Sequence, residues 1–239
     1  MRQKWGQHFL VQERYVHKIL QVAKVTREDT ILEIGPGRGI LTQALLKAGA
    51  NVVAIEIDPT LYQFLQQRVT HPQLTLIHGD FLGFPTSTLE ELFPAPFKVV
   101  ANLPYESATA ILFRFLTWRD YLQSVTVMIQ KDVAERICAL PQDGKRHGFL
   151  SLAMTLGFQR HLAFSVPSHA FQPPPKVTSS VIHLIPQGSG WNASQEQAFL
   201  EWNRRLFVQR RKTLINNLQH GYPNWINKEK GWDQFHAFK

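Results

Sequence analysis

A glycine-rich turn with an acidic residue in front of it is the first feature of this sequence that could do chemistry. Residues 33–39 read Glu-Ile-Gly-Pro-Gly-Arg-Gly, with an apolar run over 30–34 and an amphipathic run over 40–46. Glycines between a strand and a helix, such as Gly35, let the backbone approach a ligand at the helix N-terminus. The spacing alone fits either a nucleotide-type cofactor or a plain tight turn.

Acidic residues near the ends of the first three apolar runs favour the cofactor. Glu56 ends the second run, about 20 residues after the turn, where an acid would meet the hydroxyls of a ribose. Asp80 follows the third run, where a carboxylate could accept a hydrogen bond from the exocyclic amine of adenine. Glu33 would repel a phosphate but suits a cation. Because S-adenosylmethionine carries an ammonium and a sulfonium group and no phosphate, these residues favour it over a dinucleotide.

A short segment after the fourth apolar run could bind a planar base. Residues 102–105 read Asn-Leu-Pro-Tyr after the run 97–101, and residues just past the carboxyl end of a strand face the ligand crevice of an open α/β sheet. Pro104 donates no hydrogen bond, which leaves carbonyl acceptors for N–H groups, and Tyr105 offers a flat face for stacking. The segment indicates a clamp for a base with an exocyclic amine, or a proline-turned loop with its tyrosine in the core.

A second aromatic residue stands at the start of a proline-rich segment. Residues 171–177 read Phe-Gln-Pro-Pro-Pro-Lys-Val. Consecutive prolines favour a stiff, extended backbone that would hold Phe171 in a fixed place. The segment is either a second aromatic platform for the base or a rigid spacer.

The elements that must position these residues alternate between strand and helix patterns. The apolar periodicities predict strands over 30–34, 51–55, 74–77, 97–101, 124–129, 162–166 and 177–185. They predict helices over 13–23, 38–48, 59–69, 88–93, 108–117, 131–139 and 149–158. Alternation of this kind implies βαβ units and a parallel sheet. The last two strands have no helix between them, which predicts an antiparallel hairpin at the sheet edge.

The 239 residues are enough for one large domain with a small appendage. Residues 186–190 read Pro-Gln-Gly-Ser-Gly and form the best linker in the chain. We therefore predict a large domain over 1–186 and a small helical domain over 191–239. The densest basic cluster lies in the second domain and fits either a solvated helix face or a contact with an RNA backbone. Its members are Arg204, Arg205, Arg210, Arg211 and Lys212.

Composition and charge bound the class of protein and its partners. The formal charge of +8 and a pI near 9.7 favour nucleic acid, and an anionic membrane surface less so, because no basic amphipathic helix stands out. No apolar run could span a bilayer and residues 1–8 have no apolar signal core, which predicts a cytoplasmic protein. No metal site is expected, because the ten histidines show no ligand spacing and Cys138 is the single cysteine.

With these residues in view, the chain resembles the KsgA family of small-subunit ribosomal RNA adenine N6,N6-dimethyltransferases. The similarity runs from about residue 6 to residue 213, which is most of the chain. The motifs at 33–42 and 56–58 are shared by many related methyltransferases. The motifs at 102–105 and 171–179 are far more specific, and those at 130–136 and 209–213 resemble the same branch.

The resemblance implies a Rossmann-like α/β methyltransferase domain of seven strands that uses S-adenosyl-L-methionine, followed by a small helical domain that helps to grip RNA. The substrate it implies is a pair of adjacent adenosines in the hairpin loop near the 3′ end of small-subunit rRNA, modified while the small ribosomal subunit assembles. The implied cofactor contacts are His8, Leu10, Gly35, Glu56, Asp80 and Asn102. The residues expected to hold the target base are Asn102, Leu103, Pro104, Tyr105 and Phe171. A monomer is the default expectation.

The sequence departs from the family pattern in several places. His8 stands where the family usually has asparagine, and residues 106–109 read Glu-Ser-Ala-Thr where a segment with Asn-Ile-Ser or Asn-Ile-Thr is expected. After Leu218 the sequence no longer matches the usual last helices. These departures bear on rate, RNA affinity and target choice more than on the fold.

Two rival functions remain open from sequence. A large-subunit adenine methyltransferase of the macrolide-resistance type is disfavoured by Leu103, where an isoleucine is expected, and by the motif at 209–213. A non-catalytic RNA-binding factor for ribosome assembly would keep the fold without turnover. Lost catalysis is disfavoured by the intact Gly35, Glu56, Asp80 and Asn102, whereas the altered segment 106–109 keeps that alternative open.

Overall fold

The alternating patterns fold into a sheet covered by helices on both faces, in a computed structural model that describes residues 7–93, 96–207 and 216–218. The strands are β1 (Phe9–Leu10), β2 (Thr30–Ile34), β3 (Asn51–Glu56), β4 (Leu74–His78), β5 (Phe97–Asn102), β6 (Leu122–Gln130), β7 (Phe158–Val166), β8 (Phe171–Gln172) and β9 (Ser179–Pro186). The α-helices are α1 (Glu13–Ala23), α2 (Ile40–Lys47), α3 (Pro59–Arg68), α4 (Ser87–Leu92), α5 (Ala108–Thr117), α6 (Lys131–Cys138), α7 (Phe149–Gly157) and α8 (Ala193–Leu206). Short 3₁₀ turns lie at Phe81–Gly83, Arg119–Tyr121, Pro141–Arg146 and Ser168–Ala170.

Within the described residues, seven strands form one sheet in the order β4-β3-β2-β5-β6-β9-β7. The pairs from β4 to β6 are parallel, and β9 runs antiparallel to both β6 and β7. The predicted α/β class, the parallel sheet and the antiparallel edge are therefore confirmed. The chain builds outward from β2 to β4 and then returns to β5 on the other side of β2, which makes the β2–β5 boundary the switch point where ligands bind in such sheets.

Burial on both faces explains why the central strands are continuous apolar runs. One face packs against α5, α6 and α7, where Phe97, Phe115 and Trp118 are fully buried. The other face packs against α1 and α2, with Ile19, Ile31 and Leu45 at its centre. The helix layers on both faces hold the strands in place, and the residues at the strand ends are therefore held in place too.

The structure corrects the predicted bounds of the antiparallel edge. β7 begins at Phe158 rather than at 162, because α7 ends at Gly157 and Phe158 already pairs with Pro186. β9 begins at Ser179 rather than at 177. A further antiparallel pair between β1 and β8 was not predicted from sequence, because strands of two residues show no periodicity.

The amino end of the sheet is closed by a buried ion pair. Lys98 of β5 places its Nζ atom 2.8 Å from Asp29 Oδ2 and donates a second hydrogen bond to the Lys24 carbonyl at 2.8 Å. Asp29 also accepts a hydrogen bond from the Thr26 amide at 2.7 Å. Both charged side chains are only 8% exposed. Both charges are thus satisfied by groups of the protein itself.

The helix after the predicted linker packs onto the large domain. Arg119 Nη1 lies 2.7 Å from Glu196 Oε2 of α8 in a largely buried ion pair, and Leu200 packs against the main core. The boundary between residues 186 and 191 stays a prediction. Of the basic cluster, Arg204 and Arg205 lie in α8. The members at 210–212 and the motif at 209–213 lie outside the described residues. Among the described helices, none has both the length and the apolar character needed to cross a bilayer.

Candidate active site

A cleft of about 390 Å³ opens at the carboxyl ends of β2, β3, β4 and β5. Its size lies within the range of small-molecule sites. The structure brings most of the predicted site residues to this cleft: His8, Leu10, Gly35, Glu56, Asp80, Asn102, Leu103, Pro104 and Tyr105. Four adjacent parallel strands thus bring residues 35–105 of this set to one place, and the segment that contains β1 adds His8 and Leu10.

The glycine-rich turn between β2 and α2 requires its glycines. Gly37 and Gly39 both have positive φ values, of 61° and 81°. A Cβ atom on Gly37 would lie 3.1 Å from the Phe9 ring, and one on Gly39 would lie 2.7 Å from Leu65 Cδ2. The turn is therefore compact on both sides, and the backbone forms the cleft wall at Gly35.

Glu56, at the end of β3, is hydrogen-bonded to the same turn. Its Oε2 atom accepts a hydrogen bond from the Gly37 amide at 3.0 Å, and its Oε1 atom accepts one from the Asp58 amide at 3.0 Å. Burial raises the pKa of Glu56, and these two hydrogen bonds offset part of that shift. Each carboxylate oxygen has a second lone pair, so the side chain can also accept from a hydroxyl group in the cleft.

Glu33 of β2 is a buried carboxyl group that lines the cleft. It is 1% exposed, and its Oε2 atom has no hydrogen-bond partner among the described residues. Burial raises its pKa to about 8, an effect that Glu56 increases and Thr42 partly offsets. Buried polar atoms are nearly always hydrogen-bonded in folded proteins. The unpartnered oxygen therefore fits a site whose missing partner is a cationic ligand group.

The far end of the cleft combines a carboxylate with exposed apolar side chains. Asp80 is exposed, and its Oδ1 atom accepts a hydrogen bond from the Leu82 amide at 2.9 Å. Ile57 and Leu82 both line the cleft and are 42% and 37% exposed. Apolar surface of this kind in a cleft suits a flat ring. Sequence reasoning missed both residues, although each lies within two positions of a predicted acid.

The N-terminal strap, residues 7–10, crosses the glycine-rich turn. Phe9 covers Gly37, and the Arg38 guanidinium lies 4.6 Å from the Phe9 ring centroid. Gln7 Nε2 donates to Asp58 Oδ2 at 3.1 Å. Residues 9 and 10 pair with β8. The strap therefore closes one side of the cleft with contacts to three separate elements.

The segment 102–105 continues the cleft from the end of β5. The Leu103 amide donates to the Met128 carbonyl at 3.0 Å, which keeps the backbone aligned with β6 beyond Asn102. The Leu103 side chain is buried, so its backbone rather than its side chain can serve a ligand. Pro104 is exposed, and Tyr105 is half-buried with its hydroxyl 2.7 Å from Ser179 Oγ. Burial also raises the pKa of Tyr105.

Phe171 is not brought to the cleft in this structure. It is 3% exposed and lies in the hydrophobic cluster that includes Leu10, Tyr15 and Val16. Its ring packs in the core cluster that contains Tyr15, Val16 and Ile19 of α1. Its placement agrees with the spacer alternative for the proline-rich segment rather than with a second platform.

Metal binding and thiol chemistry find no support among the described residues. In the part of the chain that the structure describes, no cluster of histidine, cysteine and acidic side chains could hold a metal ion. Burial raises the pKa of the Cys138 thiol to about 11, which keeps it protonated and a poor nucleophile. Glu106, the departure from the family pattern, is exposed at the rim of the cleft.

Comparison with known proteins agrees with this geometry. The chain is 39% identical over 224 residues to the ribosomal RNA small subunit methyltransferase A of Listeria monocytogenes, covering 91% of this chain and 76% of that protein. It is 40% identical to the protein of the same name from Dehalococcoides mccartyi, covering 92% and 75%. The crystal structure of a dimethyladenosine transferase from Plasmodium falciparum superposes with a TM-score of 0.73 at 28% identity, covering 89% and 75%.

The family model described as ribosomal RNA adenine dimethylase matches residues 1–230, nearly the whole chain. That match includes both the cleft at the strand ends and α8. The chain therefore belongs to the ribosomal RNA adenine dimethylase family.

Proposed function

We propose that this protein transfers methyl groups from S-adenosyl-L-methionine to N6 of two adjacent adenosines in the hairpin loop near the 3′ end of small-subunit rRNA. The observation that carries the proposal is the position of residues 102–105 in the same cleft as Glu33, Glu56 and Asp80. A base-holding segment and a cofactor-holding wall thus share one cavity. Family membership and the names of the relatives support the choice of RNA and base.

The cleft residues fit S-adenosylmethionine along its length. The buried, unpartnered oxygen of Glu33 suits the ammonium group, and Glu56 suits the ribose hydroxyls. Asp80 would accept from the adenine amine, while Ile57 and Leu82 would contact the ring. His8 and Leu10 of the strap and the backbone at Gly35 and Asn102 would complete the contacts.

S-adenosylmethionine supplies an electrophilic methyl group when bound. The adenine N6 lone pair is delocalised into the ring, so the protein must favour a pyramidal nitrogen. The Asn102 side-chain oxygen and the backbone carbonyl of Leu103 or Pro104 would accept the two N6 hydrogens, and Tyr105 would stack on the flipped base. These acceptors would hold the amine while it gains the methyl group and loses one proton to solvent, so no strong general base would be needed.

The proposed substrate sets the partners and the place of action. The positive charge of the chain supports contact with rRNA phosphates. We propose that the enzyme acts as a monomer on the assembling small ribosomal subunit in the cytoplasm. We also propose a small RNA-gripping domain beyond residue 191, of which α8 is the first helix.

The alternatives are a large-subunit methyltransferase and a non-catalytic assembly factor. Tritiated S-adenosylmethionine would be incubated with unmethylated small subunits, with unmethylated large-subunit RNA, and without RNA. Mass spectrometry of digested RNA would identify the product. We expect dimethyladenosine from the small subunit alone. Label in large-subunit RNA would support the first alternative, and tight small-subunit binding without transfer would support the second.

A further inference from the structure

Tyr105, the residue that would stack on the target base, contacts Ser179, which follows the proline-rich segment, and His8, which is hydrogen-bonded to that segment. Its hydroxyl lies 2.7 Å from Ser179 Oγ, and its ring lies 5.9 Å from the His8 ring, centroid to centroid. His8 Nδ1 in turn lies 2.8 Å from the Pro173 carbonyl oxygen. We propose that the segment 171–179 is a positioning frame for Tyr105, in which Ser179 sets the hydroxyl and Pro173, through His8, sets the ring. This inference rests on the proposed function.

Ser179 is suited to hold a hydroxyl in one place. It is the first residue of β9, fully buried, and its backbone is paired with Gln130 of β6 and Val166 of β7. A side chain anchored between two strands has little freedom of its own. Tyr105 lies in a turn and is only half-buried, so the hydrogen bond to Ser179 fixes the hydroxyl end of its ring.

The second contact of Tyr105 is with the His8 ring. A carbonyl oxygen can only accept, so His8 Nδ1 carries the proton and donates it to the Pro173 oxygen. This hydrogen bond sets the plane of the imidazole, which is tilted by 33° to the Tyr105 ring. His8, a residue of the strap, therefore contacts both the proline-rich segment and Tyr105.

This arrangement gives the proline-rich segment a role that does not need the Phe171 ring in the cleft. The buried Phe171 ring anchors the start of the segment, and Ser179 anchors its end in the sheet. Between these anchors, the prolines restrict the backbone that carries the Pro173 carbonyl. The segment 171–179 is therefore anchored at both ends and stiff between them, so it can hold Tyr105 in position.

Ser179→Ala and Tyr105→Phe test the proposal together, and Ser180→Ala is the matched control. Ser180 is the next residue in β9, equally buried, and its hydroxyl lies 3.2 Å from Ser165 Oγ, away from Tyr105. We expect each of the first two changes to lower kcat about tenfold, because small misplacements of reacting groups have effects of this order. KM for S-adenosylmethionine should stay unchanged. Ser180→Ala should leave kcat unchanged.

The double variant decides whether Ser179 acts through Tyr105. If it does, Ser179→Ala should cause no further loss of kcat in the Tyr105→Phe background. Equal losses in both backgrounds, or an unchanged kcat in either single variant, would overturn the proposal. Should Ser179→Ala fail to fold, Tyr105→Phe alone still tests it, since that change keeps the ring and removes only the hydroxyl.

A measurement without turnover separates this inference from the proposed function. In protein labelled with ¹³Cζ-tyrosine, the Tyr105 signal is the one lost in Tyr105→Phe. We expect Ser179→Ala to shift that signal and Ser180→Ala to leave it in place. A Tyr105 signal unmoved by Ser179→Ala would contradict the frame whatever the RNA assay shows. A shifted signal in a protein that methylates no RNA would support the frame and reject the function.

Discussion

Two buried carboxyl groups at opposite ends of β2 have opposite environments. Asp29, directly before the strand, accepts hydrogen bonds from Lys98 Nζ and from the Thr26 amide. Glu33, near the carboxyl end, has an oxygen with no partner among the described residues and a pKa raised to about 8. The carboxylate before β2 thus has its hydrogen-bond partners within the protein. The carboxyl group near the end of β2 has an oxygen without one among the described residues.

The difference separates the structural end of the sheet from the functional end. A buried charge is stable only with a partner, and at Asp29 the fold supplies Lys98. At Glu33, Thr42 offsets only part of the free energy lost on burial, and Oε2 has no partner among the described residues, so a cationic ligand group would stabilise the carboxylate. The predictions below test this contrast, beginning with the largest expected effect.

Lys98→Met should remove the partner of Asp29 and leave a buried, unpaired carboxylate. Breaking one side of a buried pair destabilises a protein by about 3–5 kcal/mol. Chemical denaturation would measure the loss in the free energy of unfolding. Because Lys98 is far from the cleft, the folded fraction should bind S-adenosylmethionine with unchanged affinity.

The control for Lys98→Met is the double variant Lys98→Met with Asp29→Asn. It removes both charges and keeps an oxygen that can accept from the Thr26 amide. We expect most of the lost stability to return. A single variant that loses less than about 1 kcal/mol would mean that the pair is not what closes this end of the sheet.

Glu33→Gln should have the opposite effect on stability. A carboxyl group whose pKa is raised on folding stabilises the protein fully below its unfolded pKa, near 4.5, and loses that contribution as pH rises to about 8. The free energy of unfolding of the wild type should therefore fall across this window. The glutamine variant should lack the fall and exceed the wild type by up to about 3 kcal/mol at pH 7.

Denaturation at pH 5 and pH 8, without cofactor, would measure this difference. The two proteins should be close in stability at pH 5 and far apart at pH 8. A difference that does not depend on pH would show that Glu33 is already ionised and paired. The same variant should bind S-adenosylmethionine about tenfold more weakly, the loss expected for one charged hydrogen bond.

Asn102→Ala tests the functional end of β5, the strand that carries Lys98 at its structural end. The change removes an acceptor for the N6 hydrogens, so we expect kcat to fall about 100-fold, as for loss of one preorganised transition-state contact. The free energy of unfolding and the affinity for S-adenosylmethionine should change little. Kinetics with small subunits and calorimetry would test both. Unchanged turnover would reject the clamp.

The sequence predicts the strands and the positions of the acidic residues better than the contacts between distant residues. Bounds of β2, β3 and β5 follow within about one residue from continuous apolar runs, because these strands are buried on both faces. The acids Glu33, Glu56 and Asp80 were placed correctly at the strand ends, since parallel strands bring those ends together.

Details that depend on long-range packing could not be predicted. Phe171 has a residue type suited to stacking, yet its ring is buried in the core cluster beside Tyr15 and Val16 of α1. Lys98 lies inside an apolar run, and only the fold shows that Asp29 faces it. The hydrogen bond between Tyr105 and Ser179 joins residues 74 positions apart, a distance at which no local pattern carries information.

The smallest effect concerns protons released when the cofactor binds. Glu33 is mostly protonated at pH 7 in the free protein, because its pKa is about 8. An ammonium group beside it favours the carboxylate, so binding of S-adenosylmethionine should release a fraction of a proton per site. Calorimetry at pH 7 in buffers of different ionisation enthalpy measures this number.

Glu33→Gln is again the control, because the α-amino group of the cofactor titrates in the same range and contributes protons of the opposite sign. The difference between wild type and variant isolates the share of Glu33. We expect the wild type to release more protons, and its affinity for S-adenosylmethionine to rise more steeply than that of the variant between pH 6 and about 8. Equal proton counts would mean that the ammonium group binds elsewhere. Asp29 and Glu33 would then differ in their hydrogen-bond partners but not in ligand binding.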